Sequence, residues 1–223
     1  MENFEPKNTI EGEFTVEGDA LSIFLKEKKL FHGSSNSEMT QFMTSEEVKA
    51  VDIIDGVTVG EGLYLTSSEK ASMAYAQKRT KNLERRGGVA PTSYEVLVDG
   101  LKLLNLKNDA NIATFAEKFR AHLLSIMKNE EVIKKLNWMV NNSIIEALQE
   151  IQNGISLRNI QKISGYAMAG VFTVFVKELG YEGVVTLEGG EGHENDILTH
   201  TGDHDTYVIF NPDKARVLKK HVL

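Results

Sequence analysis

Near both ends of this chain the apolar positions alternate or run in short blocks, as in strands; through the middle they step every three or four residues, as in helices. Leu30–Gly33 reads as a short strand, Val57–Thr66 as a turn entering a strand past Gly60 and Gly62, and Tyr94–Val98 and Leu101–Leu106 as two more. Ser67 or Ser68 caps a helix running to about Lys78, and Leu83–Pro91 is a loop. Before these, Asp19 reads as the N-cap of a helix over Ala20–Lys28 with Leu21, Phe24 and Leu25 inside. Residues 1–18 are polar and acidic and suit a loose or edge-packed arm, and Asn36–Ala50 fits helix or loop equally.

In the middle, Ile112, Phe115, Phe119, Leu123 and Ile126 form one stripe. Val132, Leu136, Met139 and Val140 begin another, which Ile144, Leu148 and Ile151 continue until Asn153-Gly154 ends it. On that stripe Trp138 reads as core or interface. A short helix over Ser156–Ile163 and a longer one over Tyr166–Leu179, closed by Gly180, follow. Strands return at Gly183–Leu187, Tyr207–Phe210 and Ala215–Leu218, the last two separated by an Asn211-Pro212-Asp213 turn. Strands at both ends with helices between them predict an α+β fold. With three prolines, no repeat and no linker, residues 1–223 read as a single domain carrying a helical insertion over about 107–163.

Composition narrows the chemistry. A content of 41% hydrophobic and 26% charged residues is that of a globular protein with a full core. The absence of cysteine removes disulfides, thiolate metal sites and cysteine nucleophiles. No signal peptide is visible, and the apolar run at Val171–Val176 is too short to span a bilayer, which points to the cytoplasm and away from a membrane. A net charge of −7 disfavours nucleic acid as the main partner. The exception, Lys78-Arg79-Thr80-Lys81 with Arg85-Arg86, reads first as a solvated helix end and second as an anion-meeting patch.

Four segments carry candidate chemistry. In Leu30-Phe31-His32-Gly33-Ser34-Ser35 a histidine leaves a strand into a glycine, where a ligand can approach the backbone. In Gly60-Glu61-Gly62-Leu63-Tyr64 a tyrosine ends a glycine-entered strand. On the following helix Ser72 and Tyr75 share a face. Late in the chain come Gly180-Tyr181-Glu182-Gly183 and then Tyr207-Val208-Ile209-Phe210-Asn211-Pro212. Each alone is as well explained by packing.

Taken in order, these segments resemble the ADP-ribosyltransferase superfamily, in the branch of diphtheria-type toxins and poly(ADP-ribose) polymerases. That branch has a His-Gly-hydroxyl motif and a Gly-x-Gly-[Ile/Leu]-Tyr strand. It then has a serine eight and a tyrosine eleven residues past the strand tyrosine, the spacing of Ser72 and Tyr75 from Tyr64. The late segments resemble bacterial and phage-encoded members, toxins or effectors among them, which can be delivered into a target cell's cytoplasm. The resemblance covers both ends of the chain and leaves the helical block unexplained. It implies a split mixed sheet around a cleft for NAD as substrate. His32 would bond the nicotinamide ribose 2′-hydroxyl, Gly33 and Ser72 would hold the carboxamide, Tyr64 and Tyr75 would sandwich the ring, and Ser34 would lie near the adenosine ribose. Two aromatic faces suit a flat pyridinium cation.

One position departs from the pattern. Where the family carries a catalytic glutamate ahead of Tyr-Val, this chain has Thr206, preceded by Asp205. A carboxylate there would stabilise an oxocarbenium-like state. Three readings remain open: an acidic acceptor supplies the carboxylate; a neighbour substitutes, Asp205 first, then Asp203 or Glu194; or the domain binds NAD or a partner and turns over little. Strand alternation sets Asp205 opposite Thr206, which counts against the second. The expectation is therefore a mono-ADP-ribosyltransferase acting on an unidentified acceptor, a protein before a nucleic acid. A rival site is the stretch from Glu191 to Asp205, where His193, His200 and His204 lie among Glu191, Glu194, Asp196, Asp203 and Asp205. Its spacing fits no metal motif, so a loop that reads the acceptor is the more economical reading, with a metal-dependent hydrolase as the distant rival.

Overall fold

A computed structural model describes residues 13–15, 20–34, 59–83, 90–188 and 202–222, and the account below is confined to them. Their nine strands are β1 (Glu13–Thr15), β2 (Ser22–Leu25), β3 (Lys28–Ser34), β4 (Leu63–Thr66), β5 (Thr92–Val98), β6 (Leu101–Leu106), β7 (Gly183–Glu188), β8 (His204–Ile209) and β9 (Ala215–Val222). They form one mixed sheet in the order β1-β2-β6-β7-β8-β4-β3-β5-β9. Only β6 and β7 run parallel. Parallel neighbours need a crossover of a dozen or more residues. Here the crossover holds the whole helical block: α2 (Asp109–Lys128), α3 (Glu130–Ile133), α4 (Trp138–Asn153), α5 (Gln161–Ser164) and α6 (Ala169–Glu178). One further helix, α1 (Glu69–Leu83), follows β4. The architecture is α+β, as expected.

Three asparagines start helices in the block. The side chains of Asn108, Asn129 and Asn137 accept hydrogen bonds from the amides of Asn111, Val132 and Val140, satisfying donors that α2, α3 and α4 would leave open. The predicted stripe then packs as read: Ile112, Phe115, Phe119 and Leu123 are fully buried against Phe172 and Phe175 of α6 and against Val184 and Val208 of the sheet. Phe115 and Phe119 stack at 5.6 Å, and Phe172 meets Phe115 edge-on at 5.4 Å.

The second core contains strand residues only, among them Leu25, Leu30, Leu65, Tyr94, Val96, Leu103, Val185 and Tyr207. Among the described residues no helix contributes to this cluster, which joins residues of β2 through β8 across the sheet. The sheet is weakest between β3 and β4. They share one register pair, Phe31↔Thr66, whereas β3 pairs with β5 through all seven of its residues and β4 with β8 through all four. The sheet is thus nearly divided into β1-β2-β6-β7-β8-β4 and β3-β5-β9.

One expectation is overturned and another narrowed. Residues 20–28 are not a helix: Leu21, Ile23 and Leu25 alternate into the interior, β2 pairs with β1 and β6, and the chain turns at Glu27 with φ 49°. An apolar spacing that suits either period is decided by pairing on both edges, which outweighs local propensity. Asp19 lies outside the described residues. Of the two roles read for Trp138, core or interface, core is excluded: it opens α4 at 73% exposure, and Met139 beside it is also exposed. Elsewhere bounds shift: α1 runs to Leu83, residues 157–160 are turns ahead of α5, Tyr166–Met168 is a 3-10 turn, and β9 reaches Val222. Asn36–Ala50 lies outside the described residues.

Candidate functional site

Cross-strand register fixes which side chains share a face. On β4, β8 and β7 three rows run across the sheet: Tyr64–Val208–Val184, then Thr66–Thr206–Thr186, then His204–Glu188. Paired residues project to the same side, and Tyr64, Val208 and Val184 pack into the helical core, so all three rows face the helices. Helix α1 closes the far end of this face. Its Tyr75 hydroxyl donates to Glu188 Oε2, and its ring meets His204 edge-on at 6.3 Å. A row of three threonines therefore lies between Tyr64 on one side and Tyr75, His204 and Glu188 on the other.

The two tyrosines are held by neighbours. The Tyr64 hydroxyl donates to Gly60 O at 2.8 Å and accepts from the Val59 amide at 3.0 Å, closing the glycine turn that leads into its own strand. That turn is tied to the helices, with the Gly60 amide on Ser164 O and the Glu61 amide on Thr173 Oγ1. Gly60 adopts φ 69°, the left-handed region that glycine enters without penalty. At the start of α1, Ser68 Oγ accepts from the Ala71 amide, which aims Tyr75 back over the sheet.

His32 stands at the seam. Its Nδ1 lies 2.9 Å from Tyr64 O. A carbonyl only accepts, so Nδ1 carries the proton, and in the neutral ring Nε2 is an acceptor. Backbone carbonyls of a strand point in the plane of the sheet. The imidazole thus lies beside the backbone of Tyr64, on the strand with which β3 shares only one register pair.

The remaining predicted residues are placed as follows. Gly33 lies beneath α1: a Cβ there would fall 1.9 Å from Ser72 O. On the side where a Cβ would project, the close approach that the glycine permits is made by the helix. Ser72 is fully buried; its hydroxyl donates to Glu69 O at 2.8 Å and bonds Ser93 Oγ of β5. Ser34 is buried at the end of β3. Asp205 lies on the face opposite Thr206, where its carboxylate accepts from Lys107 Nζ at 2.8 Å and from the Tyr207 hydroxyl at 3.2 Å. β8 runs without a register shift, so nothing turns Asp205 toward the threonine row. Asp203 is exposed ahead of β8. Glu191, His193, Glu194, Asp196 and His200 lie outside the described residues, as do the side chains of Arg79, Lys81, Arg85 and Arg86. Among the described residues no group of three or more His, Asp or Glu side chains could hold a metal ion. No described helix is long and apolar enough to cross a membrane.

Sequence reasoning missed Glu188. The apolar run stops at Leu187, and Glu188-Gly189-Gly190 looks like a turn, so the strand was predicted one residue short. Extending the alternation by that residue puts Glu188 on the same side as Thr186, where β7 carries it beside His204. The result is a carboxylate at the end of the threonine row, on the strand next to the one expected to supply it.

No known family model matches the chain, and no curated protein is similar to it in sequence. Among solved structures, the M. tuberculosis MbcT–MbcA toxin–antitoxin complex contains a chain that superposes with a TM-score of 0.43 at 14% identity, covering 92% of this chain and 88% of that one.

Proposed function

We propose that this chain is a mono-ADP-ribosyltransferase with an ADP-ribosyltransferase-like fold, moving ADP-ribose from NAD to an acceptor and releasing nicotinamide. The observation that carries this reading is the seam. His32 binds the backbone of Tyr64 there, while the Tyr64 ring and Tyr75 flank one threonine-floored strip of the same sheet. A flat cationic ring suits the space between two phenols, with electron-rich faces against the pyridinium. His32 Nε2, an acceptor in the neutral ring, suits a polar hydrogen of the substrate.

In the reaction the bond between the nicotinamide nitrogen and ribose C1′ breaks, its electron pair leaving with neutral nicotinamide. An acceptor oxygen or nitrogen attacks C1′ and gives up its proton. Asp205 is spoken for by Lys107 and Tyr207 on the other face, so it supplies no charge to this step. The acceptor is proposed to be a protein in the cytoplasm of the producing or a target cell.

Release of nicotinamide from labelled NAD tests the reading, with Tyr64→Ala and Tyr75→Ala as controls. We expect a loss of about 10²-fold in each, since misplacing bound substrate costs that much. Thr206 in place of the family's carboxylate favours one other reading, a module that binds NAD without consuming it; saturable binding with no release would establish it. Wild-type protein that binds no NAD would overturn both.

A further inference from the structure

Buried polar groups are nearly always hydrogen-bonded, and exceptions call for a cause. Three exceptions lie side by side here. Thr186 Oγ1, Thr206 Oγ1 and His204 Nε2 are buried without a hydrogen-bond partner, in residues 2%, 4% and 4% exposed. Thr186 and Thr206 are directly paired across β7 and β8, and His204 is the next residue along β8 on the same face. Opposite His204 stands Glu188, whose carboxylate accepts from Tyr75.

Donors and acceptors in this cluster are unevenly matched to one another and well matched to something else. His204 Nδ1 lies 3.0 Å from Gly202 O and so carries the proton, which leaves the neutral ring's Nε2 as an acceptor. Glu188 is an acceptor with two oxygens. The threonine hydroxyls can donate. Two acceptors and two donors on neighbouring positions complement a pair of adjacent hydroxyls, each giving one hydrogen and accepting another. A phosphate would face a carboxylate and no cation among these four residues. A divalent metal would find one carboxylate and one imidazole, short of the oxygen-rich sets such ions take.

We propose that Glu188, His204, Thr186 and Thr206 form a subsite for a vicinal diol, and that Glu188 supplies the carboxylate absent at position 206. Building on the function proposed above, the diol is that of the ribose attached to nicotinamide. Glu188 accepts from a ribose hydroxyl as the C1′–N bond breaks; the hydroxyl oxygen gains electron density and stabilises the cation forming at C1′. No net proton transfer is needed at this step, since the bonding pair leaves on the nicotinamide nitrogen and the acceptor's proton passes to solvent after attack. Thr206 is then a binding group and not a vacancy.

The test uses the full chain, titrated calorimetrically with NAD and with NAD lacking the 2′-hydroxyl on the nicotinamide ribose, alongside nicotinamide release. The expected preference for NAD is about tenfold, the worth of one hydrogen bond to a charged group. Glu188→Gln should erase that preference and slow release by about 10²- to 10³-fold, the cost of removing one preorganised transition-state contact. Thr206→Val keeps the shape and removes only the orphaned hydroxyl. It should melt no lower than wild type while binding NAD several-fold more weakly. Release at the wild-type rate with the preference intact in Glu188→Gln overturns the proposal; so does a Thr206→Val protein that melts lower and binds NAD unchanged. Should wild type bind no NAD at all, the functional reading fails by itself, and adenosine against 2′,3′-dideoxyadenosine then decides the diol subsite. Binding of adenosine alone upholds it, and equal or absent binding of both overturns it.

Discussion

At the scale of single residues, the chain separates groups that packing explains from groups that packing leaves unsatisfied. His122 belongs to the first kind. Its ring on α2 lies 4.5 Å from that of Phe175 and 6.3 Å from that of Phe119. This burial pushes its pKa below 6.5, while Glu178 at 3.9 Å pulls weakly the other way. Below pH 6.5 the unfolded chain takes up a proton at this position that the folded chain still refuses. Stability therefore falls as pH drops from 6.5 toward the lower folded value, and it is unaffected by this group above 6.5. His122→Gln should show a smaller loss of urea midpoint over that window than wild type; an unchanged pH profile would remove His122 as its source. His204 is equally a histidine on an apolar scaffold, yet its buried Nε2 has no hydrogen-bond partner, so packing alone does not account for it.

At the scale of elements, close approaches set the cost of small changes. Gly33→Ala would drive a Cβ into the Ser72 carbonyl, a backbone atom of α1 that cannot swing aside. Helix α1 must lift from β3, and we expect a loss of about 3 kcal/mol in chemical denaturation, the upper end of the usual overpacking range. Gly100→Ala, with open space around it but φ 68°, should cost only about 1 kcal/mol. Equal effects at the two sites would mean that α1 does not rest on Gly33.

The same scale shows what was legible in the sequence. The stripe Ile112, Phe115, Phe119 and Leu123 could be read because one helix buries one face, and α2 does so. Tyr64, Ser72 and Tyr75 were legible as a spacing, since a short strand and the helix after it hold their offsets rigidly. Residues 20–28 were not, because Leu21, Phe24 and Leu25 fit a helix while Leu21, Ile23 and Leu25 fit a strand, and only the partners β1 and β6 decide between them. Glu188 was hidden for a related reason. Its position beside His204 comes from register between strands far apart in the chain, which no local pattern encodes. The packing of α1 on Gly33 was hidden likewise, because it depends on where α1 comes to lie.

At the scale of the whole molecule, the near-division of the sheet raises the question of whether its halves are independent. The order of elements answers it. Passing from β2 to β3, β3 to β4, β4 to β5, β5 to β6 and β8 to β9, the chain changes halves at every step. Neither half is a continuous stretch of sequence, so neither can assemble before the other exists. Unfolding should then be a single transition, with far-ultraviolet dichroism, dominated by α2 and α4, coinciding with near-ultraviolet dichroism from buried Tyr94 and Tyr207. Two separated transitions would show that the helical insertion melts by itself. The backbone thus laces together what the hydrogen-bond ladder leaves almost open. The sparse pairing between β3 and β4 therefore does not make the protein two loosely tethered lobes, because connections such as the two-residue link Asp99-Gly100 join the halves as well as the lone Phe31–Thr66 pair.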